Sequence, residues 1–541
     1  MSKELNELRN QGLRPGATST TSTDDSGFSA DMTGNSPSAI PADDFDLAVD
    51  TVEIDCVVIS AATAIEAFRV FANIFHPRFP VLVSININTI YHSSPFLFWT
   101  ILIITASRTT TPLFEQLFNQ IIRPFQDMVR TEALQAPLPI QKIRALLLLC
   151  MWPMPVNAQR EDPSWVYCGI AVNSALFLGL HRPNPPQPSR CRSGYPGNAL
   201  ERMTTWLGCF YVSGSLSMHL GLPAMIDSSS ELARVNTCLQ EYPIPREFAG
   251  EVKLQAIITD FTNVLSHTAN DGAIDSSILH LLDRELDGLR MSYPDQWPRL
   301  LEYNTLIAKL QMYVSVISRD RVGSTARDVL LKLSFSTSLR IIYLANARHH
   351  ENPSENHGAS TLQQERASPK VYFRGLAFTT AFLLRYFALN SIASAEEQQL
   401  AANHVVLSYS ILTSCSVSPT DELARAAKAF EELCQLGPIN FDPQRHAPGE
   451  RVAVNLLMQA MRAASRKRDN QTTSNTETPI PPVSQSISPG SSLIPPDIFE
   501  VPINQTLDPW SMDITFPDQY WNDPAWDALN LPFMEAQFPQ R

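Results

Sequence analysis

A helix with clear start and stop signals lies in residues 162–179, DPSWVYCGIAVNSALFLG. Asp162 can cap this helix, and Pro163 suits its first position because the N–H that proline lacks would have no partner there. Apolar residues continue to Gly179, which permits the turn that ends a helix. Residues 163–180 are apolar nearly all round, so we expect neighbouring segments to cover this helix.

Similar helix signals recur near the end of the apolar part of the chain. Ser394 and Glu397 form a capping-box pattern, in which the two residues satisfy each other's free N–H groups. A second start lies at residues 418–421, and the apolar positions after it are spaced three and four residues apart. Gly437-Pro438 ends that run. Both segments are therefore predicted helices.

Alternating patterns typical of strands are scarce. The best strand candidate is residues 81–90, and one short isolated strand cannot build a sheet. Dense apolar residues extend from about 52 to 465, with polar breaks at 182–197 and 351–370. We predict that 52–465 is one all-α body of many packed helices that folds as a cooperative unit.

Length and charge narrow the function classes. The chain has 541 residues, 44% of them hydrophobic, and its 41 prolines against 20 glycines indicate long unfolded stretches. Its 41 Lys and Arg residues against 54 Asp and Glu give a net charge of −13. A negative net charge opposes binding to the negatively charged phosphate backbone of a nucleic acid. We expect no DNA-binding residues, and contact with DNA only through a partner.

The chain has no pattern for secretion, membrane insertion or zinc binding. Its start is polar, and its longest strongly apolar run covers 11 residues, whereas a membrane-spanning helix needs about 20. The eight cysteines are never closer than 18 residues apart, so no CxxC chelate exists. We expect a soluble intracellular protein with buried free thiols, no cofactor and no membrane association.

Catalytic motifs are also missing. The sequence has no GxSxG, HExxH, GxxxxGK[ST] or GxGxxG pattern. Asp43-Asp44-Phe45-Asp46 superficially fits the magnesium motif of terpene synthases, but it borders a segment predicted to be disordered. His349-His350-Glu351 is interpreted as solvated loop rather than as a zinc site. We predict a protein that is not an enzyme and has neither catalytic nor metal-binding residues.

Both ends of the chain differ from the body. Residues 1–51 are a predicted disordered segment, and 466–496 combine a basic cluster with a Pro/Ser-rich linker. Between 471 and 541 there are 12 prolines, nine acidic residues and a single basic one. Residues 497–541 are therefore a predicted acidic aromatic tail.

The tail interleaves aromatic with acidic residues. Acidic groups keep aromatic side chains solvated, so a partner's hydrophobic groove can capture them as the segment folds onto it. We predict an activation segment that binds a transcriptional coactivator through Trp510, Phe516, Tyr520, Trp521, Trp526 and Phe533. An autoinhibitory tail that docks on its own body and an inert tail are the alternatives.

The basic cluster has two interpretations. Arg466, Lys467 and Arg468 are either a nuclear import signal or a basic helix end that complements the helix dipole.

Several short stretches stand out by their order and spacing. They are Phe75-His76-Pro77-Arg78-Phe79-Pro80, Leu97-Phe98-Trp99, Ser107-Arg108, residues 144–153, Gly179-Leu180-His181-Arg182-Pro183, Arg202 with Trp206 and Phe210, and Ser217 with Gly221-Leu222-Pro223. In this order and spacing, over about 52–465, they resemble the middle homology region of fungal zinc-cluster transcription factors. Trp152-Pro153, Gly179 and Gly221-Leu222-Pro223 are interpreted as fold determinants that end helices. His181-Arg182 either contacts an effector or caps a helix end.

The resemblance implies a nuclear transcriptional regulator of fungal genes, such as a metabolic or biosynthetic gene set. A homodimer mate or a homologous zinc-cluster protein is the implied partner. Family members carry six clustered cysteines that hold two zinc ions, and no such cluster precedes residue 50 here. Either the sequence continues upstream or the chain is a regulator without its own DNA-binding domain. The alternative function is a helical small-molecule-binding module or a cytosolic enzyme with no regulatory role.

Overall fold

The computed structural model describes residues 45–136, 138–182, 197–268, 276–294, 297–317, 324–349, 361–390 and 393–434. All of them belong to the unit Ile40–Arg541. The prediction of an all-α fold is confirmed, because the described residues form sixteen α-helices and a single two-stranded sheet. The predicted domain boundaries stay predictions.

The elements follow in chain order, with a π-helical turn at Phe71–Phe75 and 3₁₀ turns at His76–Arg78 and Gln159–Glu161. They are β1 Thr51–Ile54, β2 Val57–Ser60, α1 Ala61–Val70, α2 Ile87–Ser93, α3 Pro95–Arg108, α4 Pro112–Glu132, α5 Ile140–Met151, α6 Ser164–Phe177, α7 Ala199–Leu220, α8 Ser229–Glu241, α9 Arg246–Thr268, α10 Ser276–Met291, α11 Arg299–Ile317, α12 Ser324–His349, α13 Thr361–Arg366, α14 Lys370–Leu389, α15 Ala395–Cys415 and α16 Glu422–Cys434.

The prediction of a strand at residues 81–90 is wrong. Residues from Ile87 onward form α2, because Asn86 accepts a hydrogen bond from the Thr89 N–H at 2.8 Å and so starts a helix. Before Asn86, Val81, Leu82 and Ile85 are buried although none of them pairs with a strand, and Val83 is 40% exposed.

The sheet lies instead at residues 51–60. There β1 and β2 pair antiparallel, with Thr51 opposite Ser60 and Ile54 opposite Val57. The hairpin turns at Asp55, whose φ of 52° is a left-handed conformation that aspartate tolerates in tight turns.

Several predicted helix ends are confirmed, whereas the predicted end at Gly437-Pro438 lies outside the described residues. Gly179 and Gly221, with φ values of 69° and 62°, close α6 and α7 in the left-handed conformation, and Trp152 directly follows α5. The Ser394 capping box starts α15 as predicted. At the start of α6, the Asp162 carboxylate accepts the Ser164 N–H at 3.0 Å, so the helix begins one residue after Pro163.

The expectation that neighbours cover α6 on all sides is wrong. Its small residues, among them Cys168, Ala171 and Ala175, face α5 and α7 and are buried. On the other side, Val166 is 61% exposed and Phe177 is 81% exposed. Protein surfaces commonly retain apolar side chains, so an apolar helix does not need cover on every face.

The buried residues form three cores. Core 1 extends from the hairpin through α8 and includes Ala367 and Val371. Core 2 is built mainly from α11 to α16, and core 3 joins α9, α10 and α11. Of the helices in the described ranges, none is both long enough and apolar enough to span a bilayer.

The prediction of buried free thiols is confirmed for most of the described cysteines. Burial raises the pKa of several of these thiols, which keeps them protonated and unreactive. Cys56 is exposed and is the exception. The buried free cysteines are Cys150, Cys168, Cys209, Cys238 and Cys415.

Candidate functional site

Most of the functional residues predicted from the sequence lie outside the described residues, and their roles stay predictions. They are Arg466, Lys467 and Arg468 of the basic cluster and Trp510, Phe516, Tyr520, Trp521, Trp526 and Phe533 of the tail. Most of the two candidate metal motifs, at 43–46 and 349–351, also lies outside. Among the described residues, no group of three or more His, Cys, Asp or Glu side chains is arranged to hold a metal ion.

The structure places His181 at the end of α6. Its ring lies 5.7 Å from the Trp206 ring, centroid to centroid, and its Nε2 accepts a hydrogen bond from Arg182 at 3.0 Å. The helix end itself is closed by the main chain, since the Leu180 N–H donates to the Ala175 carbonyl at 2.9 Å. His181 therefore packs between α6 and α7, and its contacts with described residues are structural.

Two residues of the family-like motifs hold the segment that precedes α14. Arg78 donates to the Ser368 hydroxyl at 2.5 Å and to the Gln364 carbonyl. The Trp152 indole N–H donates to the Ala367 carbonyl at 2.8 Å, and the Trp152 ring is fully buried. Core 1 thereby fixes where α14 begins.

An ionic cluster continues this attachment, and we call it the ionic junction: Asp162, Lys370 and Arg374, which are buried, and Glu422, which is 34% exposed. Lys370 Nζ lies 2.8 Å and Arg374 Nη2 lies 2.9 Å from the same Asp162 carboxylate oxygen. Arg374 Nε also reaches Glu422 at 2.7 Å. Burial alone would raise the pKa of Asp162, but the two adjacent cations hold that pKa well below its usual value.

The ionic junction positions α14 against a polar cavity at the meeting point of the three cores. Four helices surround this cavity in a closed ring, in which α7 packs on α9, α9 on α11, α11 on α14 and α14 on α7. The space measures about 370 Å³ when its mouth is included. It is lined by Tyr211, Ser215, Met218, His219, Glu251, Leu254, Gln255, Ile258, Asn304, Ile307 and Val371.

Glu251 is the acidic group of the cavity. Its side chain is 7% exposed, and both carboxylate oxygens accept from the Asn304 amide at 2.9 Å. Burial raises the pKa of Glu251 to about 8, and the neighbouring Glu247 adds to the shift. Among the described residues, Glu251 has no cationic partner. A carboxyl group held this way is a candidate binding group rather than part of a structural ion pair.

His219 is the second titratable group of the lining. It is half-buried because it borders the cavity, and it forms no hydrogen bond to any described residue. Burial lowers the pKa of His219 to about 3, and the nearby Arg374 and Lys370 lower it further. The imidazole is therefore neutral near pH 7 and keeps one nitrogen as a hydrogen-bond acceptor.

A glycine allows the polar wall of the cavity to form. A Cβ atom added at Gly214 would lie 2.4 Å from the Gln255 amide nitrogen, so only glycine lets Gln255 lie this close to α7. Gln255 in turn accepts from the Ser215 hydroxyl at 3.4 Å and donates to Thr259 at 3.3 Å. Glu251 and His219 belong to no local motif, so the sequence alone does not indicate this site.

Residues 69–258 match the fungal specific transcription factor domain. The match begins in α1 and ends in α9 at Ile258, which lines the cavity. The resemblance to the middle homology region is therefore confirmed over these residues. Over these residues the chain is similar to a domain of fungal transcription factors.

Individual relatives are also similar to the chain. The transcriptional regulatory protein SEF1 of Candida albicans is 29% identical over 44% of this chain and 26% of its own length. SEF1 of Kluyveromyces lactis is 28% identical over 49% of this chain and 24% of its own length. SEF1 of Saccharomyces cerevisiae is 23% identical over 71% of this chain and 36% of its own length. The chain thus spans less than half the length of these curated relatives. No solved structure matches it.

Proposed function

We propose that the chain is a transcriptional regulator that acts by binding rather than by catalysis. The observation that carries this proposal is the match of residues 69–258 to the fungal specific transcription factor domain, supported by relatives named as transcriptional regulators. The match covers most of the helices that build core 1. Helix α14, beyond the match, is joined to it by the ion pairs of Asp162 with Lys370 and Arg374.

In this proposal the helical body regulates and the tail activates. The acidic aromatic tail binds a coactivator, and the basic cluster at Arg466, Lys467 and Arg468 directs the chain to the nucleus. Contact with DNA comes through a partner, either a second copy of the chain or a zinc-cluster protein. The net charge of −13 supports this division, because it opposes direct binding to phosphate.

A reporter assay tests the proposal. The full chain is fused to a foreign DNA-binding domain, and the same fusion is made without residues 471–541. We expect the first fusion to activate the reporter and the second to lose most of that activity at equal protein level. If neither fusion changes reporter output, in either direction, the proposed function is wrong.

Nuclear import needs its own measurement. A fluorescent fusion of the full chain should concentrate in the nucleus, and replacing Arg466, Lys467 and Arg468 with alanine should spread it through the cell. An unchanged nuclear signal in the triple variant would favour the interpretation of these residues as a basic helix end.

A further inference from the structure

We propose that the cavity between α7, α9, α11 and α14 is a binding site for a small primary ammonium ion with a short aliphatic body. This inference goes beyond the proposed regulatory function and does not depend on it. It stands on the hydrogen-bonding character of the lining, on the position of Glu251 and on the shape of the cavity.

The polar lining consists of groups that can accept hydrogen bonds. An ammonium group has three N–H donors and no acceptor, so it needs several acceptors that converge on one point. Glu251 supplies a carboxylate, His219 a neutral ring nitrogen, and Tyr211 and Ser215 supply hydroxyl oxygens. None of these lining groups carries a permanent positive charge.

The charge of the cavity favours a cation over an anion. Glu251 is almost fully buried and has no cationic partner within the described ranges, so a bound ammonium would supply the missing countercharge. The cations that act on the lining residue His219, Lys370 and Arg374, already pair with Asp162 and Glu422. An anionic ligand would therefore find no cation among the lining residues, and Glu251 would repel it once ionised.

The opposite wall of the cavity is apolar and sets the size of the ligand. Met218, Leu254, Ile258, Ile307 and Val371 enclose the polar groups, and they suit a short chain of methylene groups. The enclosed space is small, because the volume of about 370 Å³ includes open solvent at the mouth, so the cavity excludes bulky amines.

Binding is expected to depend on pH because Glu251 must ionise to pair with the ammonium. The titratable groups near Glu251 are Tyr211 and His219 on α7, Glu247 on α9 and Tyr293 after α10. Lys370 and Arg374 on α14 act on His219. Of these groups, Glu251 is the one with a pKa near 8, so affinity should rise as pH approaches 8 from below.

Calorimetric titration of the full chain with three probes of equal length tests the proposal: propylammonium, propan-1-ol and propionate. We expect propylammonium to bind and the other two to bind at least about tenfold more weakly, because only the ammonium forms charge-assisted hydrogen bonds. Equal binding of propan-1-ol, tighter binding of propionate, or no binding of propylammonium at any tolerated concentration would overturn the proposal.

Two variants on the same helix locate the site. Glu251→Gln removes the charge from the cavity and should weaken propylammonium binding about tenfold or more. Asp260→Asn makes the same kind of change on α9, at an exposed side chain outside the lining, and should leave the affinity unchanged. If both variants bind like the original chain, the ammonium does not bind at Glu251.

The pH profile of the unmodified chain gives a test that needs no variant. The affinity for propylammonium should fall about tenfold for each pH unit below about 8, because Glu251 is then increasingly protonated. A flat profile from about pH 6 to about pH 8 would contradict the pairing of the ammonium with Glu251 even if Glu251→Gln failed to fold.

Discussion

Asp162 and Lys370 are 208 residues apart in the sequence, yet Asp162 Oδ2 and Lys370 Nζ lie 2.8 Å apart in an almost fully buried pair. Asp162 lies just before α6, within the matched transcription factor domain, whereas Lys370 is the first residue of α14, beyond it. The pair therefore joins the matched domain to the helices that follow it. Arg374 extends the connection to α16 through Glu422.

Breaking this pair should destabilise the whole body. Asp162→Asn leaves Lys370 and Arg374 buried beside a neutral amide, which should lower the free energy of unfolding by about 3 kcal/mol or more. Urea denaturation measures the change. The control is Asp127→Asn, which breaks the exposed Asp127–Arg130 pair and should cost less than about 1 kcal/mol. Equal losses in the two variants would contradict the structural role of the ionic junction.

Local features of this region could be predicted from the sequence, but long-range ones could not. The capping role of Asp162 and the turn at Gly179 follow from rules that act within one helical turn. Which cations meet Asp162 depends on the packing of segments about 200 residues apart, and no local rule specifies that. The hairpin at 51–60 was missed because its two strands have four residues each.

The cavity could not be predicted for a related reason. Glu251 and His219 lie 32 positions apart on different helices, and neither belongs to a recognisable motif. Their significance comes from burial, which becomes visible only once α7, α9, α11 and α14 are packed together. The residues that resemble the family can be recognised from the sequence because their order and spacing match it. Two of them, Arg78 and Trp152, form hydrogen bonds with the distant segment at Ala367 and Ser368.

Two glycines in helices should respond oppositely to the same substitution. Gly214→Ala places a methyl group against the Gln255 side chain, so it should destabilise the protein by about 1–3 kcal/mol. Gly288→Ala in α10 meets no atom within 4 Å, so it should stabilise the protein by about 0.5–1 kcal/mol through helix propensity. Thermal or urea denaturation distinguishes them. A neutral Gly214→Ala would mean that Gln255 moves aside freely and that the polar wall is not tightly packed.

The raised pKa of Glu251 makes stability depend on pH. The folded state keeps the proton up to about pH 8, whereas the unfolded state releases it near the ordinary pKa of about 4.3. Stability is therefore greatest at low pH in this range and falls as pH rises towards 8, by up to about 1.4 kcal/mol per unit. Asp162 has the opposite sign, because its lowered pKa contributes stability that is lost only in acid below about pH 4.

Glu251→Gln isolates this effect. Between about pH 6 and about pH 8 the variant should gain roughly 2 kcal/mol relative to the unmodified chain, because an amide does not titrate. Urea unfolding at both pH values measures the difference, and the exposed Asp260→Asn on α9 serves as the control. If the difference between Glu251→Gln and the unmodified chain stayed constant over that range, Glu251 would not be held in its neutral form by the fold.

The proposed activation by the tail rests on its aromatic residues rather than on its charge. Capture of an aromatic anchor in a groove contributes about 2 kcal/mol or more to binding. An exposed acid contributes roughly a few tenths of a kcal/mol, through electrostatic attraction of the partner. In the reporter fusion of the full chain, replacing Trp521, Trp526 and Phe533 with alanine should therefore abolish output. Replacing Asp518, Asp523 and Asp527 with asparagine should reduce it only partly, because the anchors remain.

The two triple variants distinguish the three interpretations of the tail when protein levels are matched. Full activity in the aromatic variant would contradict groove capture and favour an inert tail. Increased activity in that variant would instead favour docking of the tail on its own body, since removing the aromatic anchors would release an inhibitory contact. Loss of output in the aromatic variant, with partial output in the acidic one, is the result that the activation proposal requires, because acidic groups only keep the anchors accessible.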